Sequence, residues 1–390
     1  MKKIYFSIVM FLFFLTSCGP GVAAATPTEE LDPTSTIAPT ALAPTPTTTL
    51  EPIATLAYPS EGLGPDNFPQ NVDPLTGLVV RDPSLLDRRP LMIKISNLPR
   101  YVRPQWGLTL ADHVYEYYTE YGTTRFIAIY LGQDASQVGP IRSARFFDEN
   151  IIQAYKAVFA FGSADILVLN RLFEADFADR LVLESNWTPM FRYDPNGYNH
   201  LMVDTSALSK YISDKGIENG RQDLDGMFFQ IEPPANGQPA EHVSVRFSIS
   251  IYNKWDYDAS FGRYLRSSDT VEDANGGKNE AYAPLTDKLT DDPVASDNVV
   301  FIEVPYQFYR REPEQIEIPF VGSGLAYAFR DGQMYKVRWQ RPTQDSMVSL
   351  AYENGAPFPF KPGNTWFEVI GSTSEQSQNE QGWRFVFHIP

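Results

Sequence analysis

The chain has 390 residues, 43% of them hydrophobic and 14% aromatic, enough to fill two ordinary globular cores and to exclude a wholly disordered chain. Its formal net charge of −16 argues against non-specific nucleic-acid binding and against adhesion to an anionic membrane surface. The single cysteine, Cys18, excludes a disulfide framework, a thiolate metal cluster and a Cys–His catalytic pair within one chain.

Met1-Lys2-Lys3 is a short basic head, and Ile4 to Leu15 is an apolar stretch too short to span a membrane as a mature helix. It ends in Leu15-Thr16-Ser17-Cys18, which resembles a bacterial lipobox, so residues 1–18 are read as a lipoprotein signal peptide. Cys18 is then the lipidated residue, of the kind that carries palmitate. Residues 19–72 follow as a Pro/Thr-rich tract with no basic residue and no hydrophobic period, centred on Pro44-Thr45-Pro46-Thr47. Proline removes backbone donors and favours extended polyproline II, so this tract is expected to be a disordered stalk.

Residues 73–235 are expected to form an α+β domain, a mixed sheet with helices. Leu91–Ser96 reads as a strand launched after Pro90. Residues 114–121 and 124–131 read as a hairpin with Gly122-Thr123 as a two-residue turn. That register sets Tyr121 opposite Thr124 and Glu120 opposite Arg125, and places Glu116, Tyr118 and Glu120 on one face. Arg142-Ser143-Ala144-Arg145 leads into a helix expected from Ser143 to Ala157, with Ser143 as its N-cap. Ala157–Phe161 reads as a buried strand, and residues 164–175 and Thr205–Lys215 as helices, the second capped by Asp204 or Thr205.

A helix N-terminus flanked by arginines is a physical recipe for an anion site. From Arg81 to Arg145 the chain carries nine basic and six acidic residues, a local excess of three positive charges in an acidic protein. Arg125, Arg142, Ser143 and Arg145 are therefore the candidate anion-binding residues, although arginines paired to Asp112, Glu116 or Glu120 would serve structure alone. Asp112, Glu116, Glu120 and His200 are the candidate acid/base residues; His200 sits in a loop, where a hydrogen-bonded structural role is the commoner one.

The run from Arg89-Pro90 through Arg103-Pro104-Gln105, Ala111-Asp112, Glu116, Thr124-Arg125-Phe126, Val138-Gly139-Pro140 and Arg142-Ser143-Ala144-Arg145 resembles the YerB family of bacterial lipoproteins. That family is a two-part domain of unknown function. Its pattern reads Pro-His-Asn where this chain has Tyr198-Asn199-His200, a departure that bears on His200.

Residues 240–390 change to alternating strands and tight turns, and are expected to be mainly β, a sandwich or barrel. Val243, Val245, Phe247, Ile249 and Ile251 alternate, and Asp331-Gly332 and Asn354-Gly355 are hairpin turn signals. Asp256-Tyr257-Asp258, Gly262-Arg263-Tyr264, Trp339 and Pro362-Gly363-Asn364-Thr365-Trp366 resemble the second half of the same family. The resemblance implies the fold and the order of the two parts, and no chemistry. Trp255, Tyr257, Tyr264, Tyr309, Trp339 and Trp366 offer a sugar-stacking surface, or simply fill the core.

No Gly-x-Ser-x-Gly elbow, Ser-x-x-Lys, His-Glu-x-x-His, P-loop or dinucleotide fingerprint occurs, and the window Asp269–Glu280 lacks the ligands of an EF-hand. No metal and no cofactor is expected. The favoured reading is a binding or regulatory module on the outer face of the cytoplasmic membrane, lipid-anchored, contacting a wall polymer or a wall-synthesis partner. The alternative is an extracytoplasmic hydrolase or transferase acting on an anionic or glycan substrate through the Arg/Glu/His cluster.

Overall fold

A computed structural model describes residues 58–380 and 382–389. The expected signal peptide, the lipobox cysteine Cys18 and the stalk up to residue 57 lie outside the described residues. The stalk, expected to run to residue 72, ends sooner: Leu63 exchanges backbone hydrogen bonds with Phe229, and Val72 is buried and bridges to Val79. Tyr58, Phe68 and Val72 give residues 58–72 apolar side chains that pack on the core.

The N-terminal half is a mixed sheet with three helices. Strand β1 (Leu91–Ser96) pairs antiparallel with β3 (Thr124–Tyr130), which pairs antiparallel with β2 (His113–Tyr118). On the other side β1 pairs parallel with β4 (Val158–Phe161), and β4 parallel with β5 (Leu181–Leu183). Helix α1 (Phe147–Tyr155) packs on one face through Phe147, Ile151, Ile152 and Tyr155 and ends at Lys156, whose φ of 51° is left-handed. Helices α2 (Ile166–Glu174) and α3 (Thr205–Asp214) have the carboxylates of Asp165 and Asp204 as N-caps, each accepting from backbone N–H groups of the first turn. A short hairpin, β6 (Met190–Arg192) with β7 (Leu201–Val203), stands apart from the large sheet.

The C-terminal half is mostly strands, as expected. Seven of them form a separate mixed sheet around Arg263–Asp269, Tyr252–Asp258 and His242–Arg246, with Gly382–Val386 running parallel to the last. The remaining long strands join the first half. Thr365–Gly371 pairs parallel with β2, His113 opposite Thr365, and its other edge pairs parallel with Asn298–Val304. Gly322–Arg330 and Gln333–Arg341 continue outward, giving one sheet of eleven strands built from both halves of the sequence.

This explains why β2 and Thr365–Gly371 are buried along their whole length: α1 covers one face and the seven-stranded sheet covers the other. On the second face Trp255 and Trp366 meet at 5.1 Å between ring centroids, and Phe126 meets Trp366 at 5.1 Å. Such edge contacts add about 0.5–1.5 kcal/mol each beyond the area buried. Trp255, Tyr264, Trp339 and Trp366 are thus core residues and not a sugar platform.

The hairpin register differs from expectation by three residues in the pairing, because a longer loop replaces the two-residue turn. Tyr118 lies opposite Thr124 and Tyr117 opposite Arg125, leaving Glu120-Tyr121-Gly122 as the loop beyond Thr119 and Thr123. Tyr121 (φ 47°) and Gly122 (φ 75°) are both left-handed. Tyrosine seldom adopts that conformation. Here it is held from a distance, because Tyr121 N–H donates to Glu314 Oε2 at 3.1 Å and Glu314 N–H donates to the Tyr121 hydroxyl at 2.8 Å.

Candidate functional site

The tip of the β2–β3 hairpin forms one wall of a cleft of about 480 Å³. Arg100, Glu120, Arg125 and Arg142 line it from the first half of the chain, and Ser250 and Glu272 from the second. Both halves contribute because Arg100 and Arg103 reach across to Asp269, at 2.6 and 3.0 Å, fixing the loop after β1 against the smaller sheet.

Most charges around the cleft are already matched. Glu120 accepts from Arg125 at 2.9 Å and from both the Nε of Arg145, at 2.6 Å, and its terminal nitrogen. Burial pushes Glu120 up, but the two guanidiniums outweigh it and hold the carboxyl below its ordinary range. Arg125 also donates to the Ser143 carbonyl at 2.6 Å, and burial together with Arg145 pulls it down to about 10. The expected Glu120–Arg125 ion pair therefore forms, although the two residues are not cross-strand partners.

Arg142 is different. Its Nε donates to Ser96 Oγ at 3.2 Å and its guanidinium carbon lies 5.3 Å from the centre of the Tyr198 ring. Among the described residues it has no carboxylate within ion-pair distance, although it lines the cleft.

Ser143 is not the cap of α1, which starts at Phe147 with no side-chain cap on its first residue. Its hydroxyl meets that of Ser163 at 2.9 Å, and the Arg145 N–H ahead of α1 is taken by Asp148 Oδ2 at 2.7 Å. The expected anion site on a free helix N-terminus is thereby replaced by a self-contained one. A carboxylate inside the first turn had the shorter reach.

The acid/base candidates do not converge. Glu116 is fully buried on the opposite face of β2 from Tyr117, and Asn97 and Thr124 close over its Oε1 at 3.0 and 2.7 Å. Asp112 is buried and accepts from Leu131 N–H at 2.6 Å and Gly132 N–H at 3.1 Å; burial pushes it up to about 6 against those bonds. His200 stacks on Tyr193 at 4.3 Å, its Nδ1 3.4 Å from Asp194 Oδ2, and it does not line the cleft.

Two buried clusters escaped the sequence reading. Behind the cleft, Lys94 Nζ meets Asp148 Oδ1 at 2.7 Å and the Tyr117 hydroxyl, with no solvent exposure of Lys94 or Asp148. Burial pulls Lys94 down to about 7 against the attraction of Asp148. Between the sheets, Arg266 bonds both Glu116 Oε2 and Glu368 Oε1, the latter at 3.0 Å, and Trp255 Nε1 also donates to Glu368 Oε1 at 3.0 Å. Burial and then Glu116 push Glu368 up to about 8, with Arg266 opposing. The available signal was a lone charge inside an apolar strand: Lys94 in Leu-Met-Ile-Lys-Ile, Glu368 in Trp-Phe-Glu-Val-Ile.

Two family models match this chain: the N-terminal domain of "Protein of unknown function (DUF3048)" over residues 75–218, and its C-terminal domain over residues 243–367. The chain belongs to the DUF3048 family. It is 27% identical over 318 residues to "Putative lipoprotein YerB" of Bacillus subtilis (strain 168), covering 78% of this chain and 88% of that protein. The crystal structure of the YerB protein from Bacillus subtilis aligns with a TM-score of 0.63 at 23% identity, covering 77% of this chain and 96% of that one. That likeness establishes the shared fold. The cleft draws on both DUF3048 domains, since Arg142 falls in the first match and Ser250 and Glu272 in the second. Among the described residues no group of three or more His, Cys, Asp or Glu side chains is placed to hold a metal ion, and no helix is long and apolar enough to cross a membrane.

Proposed function

We propose that this DUF3048 chain is a lipid-anchored binding module of the cell envelope, held through Cys18 on the outer face of the cytoplasmic membrane. Its cleft takes an anionic group of a wall polymer or of an envelope protein. The observation that carries the reading is Arg142: a guanidinium lining a cleft with no carboxylate partner, among arginines that all have one. The lipobox and the related protein's name support the anchor.

The alternative, a hydrolase or transferase, draws no support from the placement of its residues. Glu120 is held ionised by two arginines and is a poor general acid, Glu116 and Asp112 are sealed from the cleft, and His200 lies outside it.

The test is thermal unfolding of the full chain in detergent with and without tripolyphosphate. A ligand in large excess over its Kd raises stability by about 3 kcal/mol at a hundredfold excess. The rise is expected for the wild type and lost in Arg142→Ala; an equal rise in that variant would overturn the assignment. For the anchor, Cys18→Ser is expected to move the protein from the membrane to the soluble fraction, and unchanged membrane recovery would remove it.

A further inference from the structure

Four large aromatic side chains, Trp187, Phe191, Tyr193 and Tyr198, lie close in sequence on the β6–β7 arm and the loop before it, and two of them are the most exposed large hydrophobics among the described residues. Trp187 is 85% exposed and Tyr198 82%, with Phe191 and Tyr193 also open to solvent. Tyr101, 70% exposed, joins them from the loop after β1, its hydroxyl accepting from Asn199 Nδ2. Packing explains the buried aromatics of the core; it does not explain Trp187, Tyr198 and Tyr101, which are mostly exposed.

Their placement relative to the cleft is specific. The Tyr198 ring lies beside the Arg142 guanidinium, 5.3 Å from its carbon, and Tyr101 directly follows Arg100, another cleft arginine. Neither tyrosine lines the cleft itself, but Tyr198 flanks its unpaired cation and Tyr101 is tied to the same arm through Asn199. A tyrosine presents an apolar face and a polar tip, which matches the C–H face and hydroxyl edge of a sugar ring. The cation beside Tyr198 adds a requirement for negative charge on the same ligand. At about 480 Å³ the cleft has the size of a small-ligand site.

We infer that the occupant is an anionic glycan: sugar rings stack on Tyr198 and Tyr101 while Arg142 holds a carboxylate or phosphate carried by the sugar. This rests on the anion-binding reading of the cleft and names its ligand class. Tyr198 and Tyr101 select the sugar; Arg142 selects the charge.

The experiment is calorimetric titration of the full chain in detergent with three probes: an oligogalacturonide, a malto-oligosaccharide of the same length, and tripolyphosphate. The expected order is oligogalacturonide tightest, by about tenfold over either of the others. Tyr198→Ala, at a site too exposed to disturb folding, weakens the oligogalacturonide about tenfold and leaves tripolyphosphate unchanged; Arg142→Ala weakens both. Tripolyphosphate binding that needs Arg142, with no gain from the sugar and no effect of Tyr198→Ala, overturns the glycan inference while the anion site stands. Binding of none of the three overturns both.

Discussion

Two groups of charges adjoin the β2–β3 hairpin, one between the sheets and one at its tip, and they have opposite fates. On the inner face, Glu116, Arg266 and Glu368 are shut between the two sheets and bonded to one another, to Asn97, Asn253 and Trp255. At the tip, Glu120, Arg125 and Arg145 form a largely buried network at the edge of the cleft, whose neighbour Arg142 is left with open donors. Position alone decides which is architecture: a charge removed from water must find its partner inside the protein, whereas one at a cleft can wait for a ligand.

The sharpest way to break this contrast is Arg266→Met. It strands two carboxylates in the interior, and chemical denaturation is expected to show a loss of about 3–5 kcal/mol. A loss below about 1 kcal/mol would place the cluster outside the load that holds the sheets together.

Glu368→Gln tests the same cluster through pH. The folded-state value is raised from 4.5 to about 8, so between these pH values the folded protein holds a proton that the unfolded chain has released. Stability from this group is full below about 4.5 and falls as pH rises towards 8. The groups facing it are Glu116, Arg266 and the Trp255 indole, of which Glu116 opposes ionisation and Arg266 favours it. Glu368→Gln keeps the uncharged form, so its stability relative to wild type is expected to climb across that window; a constant difference would contradict the raised value.

At the tip the effects are smaller. Glu120→Gln leaves Arg125 and Arg145 without their carboxylate and is expected to cost about 1–3 kcal/mol, while strengthening tripolyphosphate binding, both read in one ligand-dependent unfolding series. Arg142→Ala is expected to change stability by no more than about 0.5 kcal/mol and to abolish the ligand response. Should Arg142→Ala prove as damaging as Arg266→Met, the distinction between the two groups would collapse.

The strands were largely legible because period-two alternation and turn dipeptides are local signals. Asp331-Gly332 does make its hairpin, with φ of 53° and 71°. What local signals missed is set by distant residues. Tyr121 enters the left-handed region because Glu314 holds it, so a three-residue loop, Glu120-Tyr121-Gly122, replaces the two-residue turn that Gly122-Thr123 suggests. Pairing of β2 with Thr365–Gly371 leaves no trace near either strand except that each is largely apolar around a single glutamate. At the site, the arginine cluster was readable from charge bias, but which arginine stays open depends on the reach of Glu120 and Asp269. The Lys94 and Glu368 clusters show that an isolated charge within an apolar strand carries more information than a charge near a turn.

The shared sheet also has a consequence in time. A chain emerging from its amino end completes β1, β2 and β3 long before Thr365–Gly371 exists, so the outer edge of β2 stays unpaired through most of synthesis. The closing event waits for nearly the last strand, a contact of very long sequence separation and hence a slow one. Until then the molecule carries a sticky, half-built border that its surroundings must keep from pairing with a neighbour's.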